Sequence, residues 1–433
     1  MASRDIAEIS VPRQLRPVPD PLGLFIRAGR NDQAALLDLV ARGDAQFFGV
    51  VIDAPAVKRQ KELRERISAA RMDVILDPRT QPCATLGGRS AEIAELPWAL
   101  PRAHVPSDFE GDAGRRRIEQ IGAYASEYGF TQVMAPTHLL VDGHDPWLEI
   151  DVEATKQLRS YLNRSGHREM QILYSLAIPY SVLRDDSERD AIIDALKGVP
   201  ADAIWLRVDG LGRDATANAV RNYIQGTADF QRLELPIIAD GLGGLAGLSQ
   251  LAFGAVGGIA HGVTFGERVD TSSWKRPRTQ GGFGPSRGVY LPDLDLMLEP
   301  AVVRQILDSS TRAKSLLGCR DTRCCPRGLV DMTEDPARHF LVQRMKQLAA
   351  IGRVPRAQRA SAFVEEFVRP ASDSLVQATN WKSLDQDLLK KLNRQRRRID
   401  ALRIALVEDV QASTWQPAQV PKTRRARDHR AGI

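Results

Sequence analysis

The chain has 433 residues, of which 43% are hydrophobic and 26% charged, with a net charge of +6. That balance excludes a wholly disordered chain, and the lack of any apolar run of about 18 residues excludes a helical membrane span. Met1 to Pro21 is polar and has neither the apolar core nor the cleavage site of a signal peptide; with only four cysteines, a soluble cytoplasmic protein is expected rather than a disulfide framework.

Along the chain a short apolar run, ending in a polar residue or glycine, is followed by a helical stretch, and the pattern restarts. Eight such runs are read as strands: Leu22–Ile26, Phe47–Ile52, Val74–Leu76, Gln132–Ala135, Gln171–Ile178, Ala203–Val208, Pro236–Ala239 and Gly258–Ala260. The first helix opens at Asn31-Asp32-Gln33 and closes at Gly43, with apolar positions at Leu36, Leu37, Leu39 and Val40. Further helices are predicted over Lys58–Ala70, Gly114–Glu127, Val152–Asn163, Ser187–Lys197, Thr216–Ile224 and Leu245–Phe253, with an irregular insert from Arg79 to Asp112. Strands alternating with helices need crossovers, and crossovers make parallel sheets. Eight units completed near residue 268 predict a closed (β/α)8 TIM barrel in preference to an open doubly wound sheet.

Beyond the barrel, Arg268 to Gly288 reads as a loop, Leu294 to Leu317 as helical, and further helices fall near Ala337–Ala350 and Ala360–Phe367. The last helix, Leu384 to Val410, spaces Leu388, Leu392, Ile399, Leu402 and Leu406 by threes and fours along most of its length. Such a narrow stripe suits packing on another helix, either as a clasp over the barrel or in a homo-oligomer through this C-terminal helix. The predicted organisation is thus an N-terminal segment (1–21), the barrel (22–268), a Cys/His subdomain with helices (269–375), the amphipathic helix (376–410) and a basic disordered tail (411–433).

In a barrel the site lies where strands end. Arg27 and Arg30 flank the end of the first predicted strand; Asp53, Asp77, His138, Asp209, Asp240 and His261 follow later ones. Carboxylates and imidazoles around one mouth supply nucleophile, base and acid, whereas an Asp at such a junction also serves simply to cap the next helix. Asp240 and Asp209, each followed by glycine, together with Asp77 and His261, are the catalytic candidates. Gly241, Gly243, Gly244 and Gly262, after the seventh and eighth strands, expose backbone N–H groups for a phosphate or merely permit tight packing. Lys275, Arg276, Arg278 and Arg287 form a basic loop suited to a nucleic-acid backbone or to solvent.

The segment Cys319-Arg-Asp-Thr-Arg-Cys324-Cys325 is followed by His339 at the start of a helix. Three thiolates and one imidazole make a closed tetrahedral zinc site, which is structural because no position is left for substrate; buried free thiols are the alternative. A barrel whose last strand leads into a cysteine-rich unit completed by a helical His resembles the tRNA-guanine transglycosylase family. The resemblance covers about Leu22 to Ala350 and rests on Cys319, Cys324, Cys325 and His339. It implies exchange of a guanine base in tRNA or DNA, one Asp attacking the ribose C1′ and a second handling the base. The chain departs from the family in its Cys-x4-Cys-Cys spacing, in having Ala260-His261 where the nucleophilic Asp would fall, and in lacking the Asp-Ser-Gly-Gly signature, whose nearest relic is Asp77-Pro78-Arg79-Thr80-Gln81. The nucleophile is then expected at Asp240 or Asp209. Two other readings stand beside base exchange: a non-catalytic nucleic-acid-binding barrel, and a barrel enzyme acting on a small phosphorylated substrate.

Overall fold

The computed structural model describes residues 21–85, 87, 90–275, 288–381, 384–412 and 417–431. Eight parallel strands close on themselves: β1 (Gly23–Arg27), β2 (Gly49–Asp53), β3 (Asp73–Asp77), β4 (Gln132–Met134), β5 (Gln171–Pro179), β6 (Ala203–Asp209), β7 (Ile237–Asp240) and β8 (Gly258–His261), with β8 pairing back on β1. The chain is a (β/α)8 barrel. Alternation along each strand makes two cores. Phe25, Val51, Ile75, Leu173, Trp205 and Ile238 point inward and pack together, with Phe25 and Trp205 edge to face at 5.2 Å. Leu24, Ile26, Val50, Ile52, Val74, Leu76, Ile204 and Leu206 point outward under the helices. Both faces of the sheet are covered, which is why these runs read as continuously apolar.

After β8 the expected helix from Leu294 does not begin there. Val289–Leu291 (β9) and Leu296–Leu298 (β10) form an antiparallel hairpin whose turn places Asp295 at φ 45°. Helices Pro300–Ser309 and Thr311–Leu317 follow; Pro300 sets φ for a first helical turn and cannot extend a helix from its N-terminal side.

Helix Gln386–Ala412 lies on Ala217–Asp229 and Arg369–Thr379, burying Leu388, Leu392, Ile399, Leu402 and Leu406. Arg221 fixes it through Asp409 (2.9 Å) and Glu408 (2.7 Å), and Arg398 reaches Asp295 (2.6 Å). The stripe is consumed within the chain, as a clasp on the barrel's helices.

Residues 417–431, anticipated as part of a disordered tail, instead cross the floor of the barrel. Ala418 donates to the Gly254 carbonyl (2.7 Å), Val420 packs against the inner core, and helix Arg424–Ala431 ties Arg427 to the buried Asp73. Gly257 permits this crossing, because a Cβ there would stand 1.9 Å from the Gln419 carbonyl oxygen. Basic composition indicated solvation; carboxylate and carbonyl acceptors at the barrel floor supplied partners instead. Among the described residues no helix is long and apolar enough to cross a membrane.

Candidate active site at the barrel mouth

The last inward residue of several strands is charged, and these residues meet. Arg27 donates through Nε to both Asp240 oxygens (2.9 and 2.8 Å) and through Nη1 to Asp77 (3.0 Å) and Asp53 (3.3 Å). Arg207 donates to Asp240 (2.8 Å), Asp77 (2.5 Å) and Gln81 (2.6 Å), and the Trp205 indole N–H donates to Asp240 (2.7 Å). Arg79 completes the group at 3.7 Å from Asp53, giving three guanidiniums to three carboxylates. Buried charges persist only when paired in this way. Burial pushes the Asp77 pKa above the usual carboxylate value, against the pull of Arg27.

Accessibility separates the three carboxylates. The Asp77 and Asp240 side chains are 4% and 1% exposed, that of Asp53 41%. Asp53 faces a cavity of about 510 Å³ that also exposes Arg79, Arg268, Asp270 and Trp274. Arg79 adopts a left-handed backbone (φ 59°), with its N–H donating to Asp77 Oδ1 (2.9 Å), and its guanidinium lies 5.8 Å from the Trp274 ring centroid. A non-glycine residue in that conformation costs on the order of 1 kcal/mol and is worth noting at a cavity wall.

The other predicted mouth residues lie elsewhere. Asp209 accepts from the Thr271 amide (2.7 Å) and hydroxyl (2.6 Å), pinning the chain after β8. His261 follows the inward Ala260, so alternation turns it outward; it is buried against Phe340, with Nδ1 at 2.9 Å from the Gly262 carbonyl, and burial lowers its pKa. It does not line the cavity, so it has no place among the groups at the mouth. His138 likewise lies below the surface, stacked on Trp147 and 2.7 Å from Asp151.

The amides of Gly241, Gly244 and Gly262, expected to face a phosphate, are engaged within the chain. The helix after β7 is Gly244–Ala252, and its first amides are already occupied: Gly244 donates to Glu267 (3.2 Å) and Leu245 to Asp295 (3.1 Å). Two carboxylates of the chain itself stand where a phosphate would bind. A Cβ on Gly243 would meet Glu267 at 2.3 Å, so this glycine serves close packing. Gly241 and Gly262 line the cavity, but their amides donate to Ala260 (2.7 Å) and Gly266 (2.9 Å) carbonyls. Lys275 ends the short helix Ser272–Lys275; Arg276, Arg278 and Arg287 fall outside the described residues.

The second constellation comes together. The ligand atoms of Cys319, Cys324, Cys325 and His339 all lie within 4.8 Å of one another. Cys324 and Cys325 sulfurs are 3.7 Å apart, and each is 3.4 Å from His339 Nδ1. Tetrahedral coordination with metal–sulfur bonds of about 2.3 Å and metal–nitrogen bonds of about 2.0 Å sets edges of roughly 3.5–3.8 Å, so the donor set fits a four-coordinate ion. His339 Nε2 is 2.9 Å from the Tyr290 carbonyl, and the Gln343 amide approaches Cys324 (3.4 Å) and Cys319 (3.6 Å). Such outer contacts orient ligands and fix the imidazole tautomer.

Sequence reasoning missed Arg207, Glu267, Gln343 and the Tyr290 carbonyl, and named Gln81 only within the altered Asp77–Gln81 stretch. Arg207 had a legible signal: it is an arginine inside an apolar run, two residues beyond the inward Trp205. The others depend on contacts 23 to 126 residues apart along the chain.

A pH effect follows from the insert. His104 is buried, and burial lowers its pKa to about 4, helped by His138. The unfolded chain takes up this proton near pH 6.5, so the contribution is complete above 6.5 and is lost as pH falls to about 4. It amounts to on the order of 3 kcal/mol. Urea unfolding at pH 7 and pH 5 should show a smaller acid loss in His104→Gln than in the parent chain; equal losses would refute this assignment.

No family model and no curated protein matches the chain. Among solved structures, a GH10 xylanase from Bispora. sp MEY-1 with xylobiose is 11% identical, covering 55% of this chain and 83% of its own, at a TM-score of 0.38. A putative phosphonomutase from Burkholderia cenocepacia J2315 is 16% identical over 56% and 86%, at 0.33. A mandelate racemase/muconate lactonizing family protein from Azoarcus sp. EbN1 is 15% identical over 55% and 48%, at 0.29. Likeness at this level carries no argument about chemistry.

Proposed function

We propose that the chain is a barrel enzyme acting on a small phosphorylated, or otherwise anionic, substrate held at the mouth. One observation carries this reading: Arg79, Arg268 and the exposed Asp53 converge on a single cavity, whereas Asp240, which also lines it, is saturated by donors, as are Asp77 and Asp209. Arg268, with a side chain 47% exposed, and Arg79 hold the anion through their guanidiniums, in place of the occupied amides at Gly244 and Leu245. Asp53 acts as general acid or base, and Trp274 gives the substrate a flat wall. The four-ligand cluster is assigned to zinc in a structural role. Four cysteines without a disulfide suit a reducing, cytoplasmic setting.

Calorimetric titration with inorganic phosphate, pyrophosphate and a sugar phosphate tests the reading. Binding to the parent chain should weaken on Arg268→Ala by about tenfold or more, as expected for a lost charge-assisted hydrogen bond. Asp53→Asn should retain binding. Equal binding by Arg268→Ala, or none by the parent, would sink the proposal.

Base exchange on tRNA or DNA is the second reading, supported by the tetrahedral spacing of Cys324, Cys325 and His339 after the barrel. On that reading Asp53, with its free exposure, replaces Asp240 and Asp209 as nucleophile. It requires nucleic-acid binding that falls steeply between low and high salt.

A further inference from the structure

The four metal-ligating residues are not equally sheltered. Cys324 and Cys325 are 1% and 2% exposed, whereas Cys319 is only partly covered. Cys319 forms part of the wall of a separate cavity of about 360 Å³, with Asp293, Ser315, Arg320, Gln343 and Lys346 around it. This cavity is distinct from the mouth; the two share no lining residue. Cys319 is therefore a thiol with a route to solvent and two partner thiols within 4.8 Å. That pairing, an accessible sulfur beside a resolving one, is what selective oxidation requires.

We infer that Cys319 is a modification site for small oxidants and electrophiles, and that its oxidation opens the metal cluster. The Cys319 thiolate attacks one oxygen of hydrogen peroxide; the O–O bond breaks, hydroxide leaves and the sulfur becomes a sulfenic acid. A thiolate from Cys324 or Cys325 then attacks that sulfur, forming an S–S bond, breaking the S–O bond and releasing a second hydroxide. Two electrons pass from the two thiolates to the peroxide. The disulfide would remove two of the four residues that would hold an ion, leaving a two-donor site. The consequence reaches the barrel. His339 is held at the Tyr290 carbonyl, the Tyr290 ring lies 5.1 Å from the Arg344 guanidinium, and Arg344 pairs with Glu267 (2.5 Å), the residue before cavity-lining Arg268.

The test uses the full-length chain as purified, with its metal content measured. A short iodoacetamide pulse followed by peptide mass mapping should label Cys319 on the order of tenfold faster than Cys324, Cys325 or the buried Cys83. Stoichiometric hydrogen peroxide should then give a disulfide joining Cys319 to Cys324 or Cys325 and release one ion per chain to a chromogenic chelator. Dithiothreitol with added zinc should reverse both. Labelling of Cys324 or Cys325 as fast as Cys319 would overturn the inference, and so would a Cys324–Cys325 disulfide that leaves Cys319 reduced. A chain purified without metal that still labels first at Cys319 would refute the ion and support the modification site.

Discussion

Asp240→Asn is expected to cost about 3–5 kcal/mol of stability, the loss typical of removing one partner from a buried ion pair. Asp240 is 1% exposed and receives hydrogen bonds from Arg27, Arg207 and Trp205. An asparagine carries no charge and presents a single oxygen, so three donors lose a full acceptor. Two guanidiniums are then left in the barrel interior with too little countercharge. Asp53→Asn, at a 41% exposed carboxylate, should change stability by about 1 kcal/mol or less, as exposed pairs do. Urea unfolding of both variants decides the matter. A midpoint for Asp240→Asn equal to that of the parent would mean that the cluster does not hold the barrel. The contrast also bears on function: an activity lost in Asp240→Asn reports on folding first, whereas one lost in Asp53→Asn reports on chemistry.

The second large effect concerns the metal cluster. Stripping the ion with a strong chelator, or His339→Ala, should destabilise the segment from Gly318 to Glu334. A ligand bound a thousandfold above its dissociation constant stabilises the native state by about 4 kcal/mol, and this loss sets the scale. The segment has little regular structure of its own: a loop carrying three cysteines leads into the six-residue helix Leu329–Glu334. His339 sits in the first turn of Pro336–Arg353, whose buried Phe340, Leu341 and Met345 hold that helix in place without an ion. Limited proteolysis should therefore cut between Gly318 and Gly328 in the stripped chain and spare the helix. Unchanged digestion after the ion is removed would show that packing alone orders the loop.

Much of this organisation was legible in the sequence. The eight apolar runs and their intervening amphipathic stretches predicted the closed barrel, because a strand buried on both faces must be apolar throughout and a parallel neighbour must come after a crossover. The cysteine spacing and a histidine one turn into a helix marked four residues whose donor atoms could hold a metal ion, since a local chain segment places them within reach of one another. The residues Asp53, Asp77 and Asp240 were identifiable as strand ends, and period two distinguishes the inward Ala260 from the outward His261.

Which partners each strand-end residue meets was decided only in three dimensions. Whether a carboxylate is free or bound depends on guanidiniums from other strands: Arg27 lies 213 residues from Asp240, and Arg207 lies 130 from Asp77. The glycines after β7 looked like a phosphate cradle until Glu267 and Asp295 occupied the helix amides. Composition likewise assigned residues 417–431 to solvent, although Asp73 and the Gly254 carbonyl waited for them at the barrel floor. Local pattern fixes which face a side chain takes, because that follows from backbone geometry. Partners come from closure of the barrel, which brings distant segments to a few ångströms and settles which charges are buried in pairs and which stay exposed at the mouth.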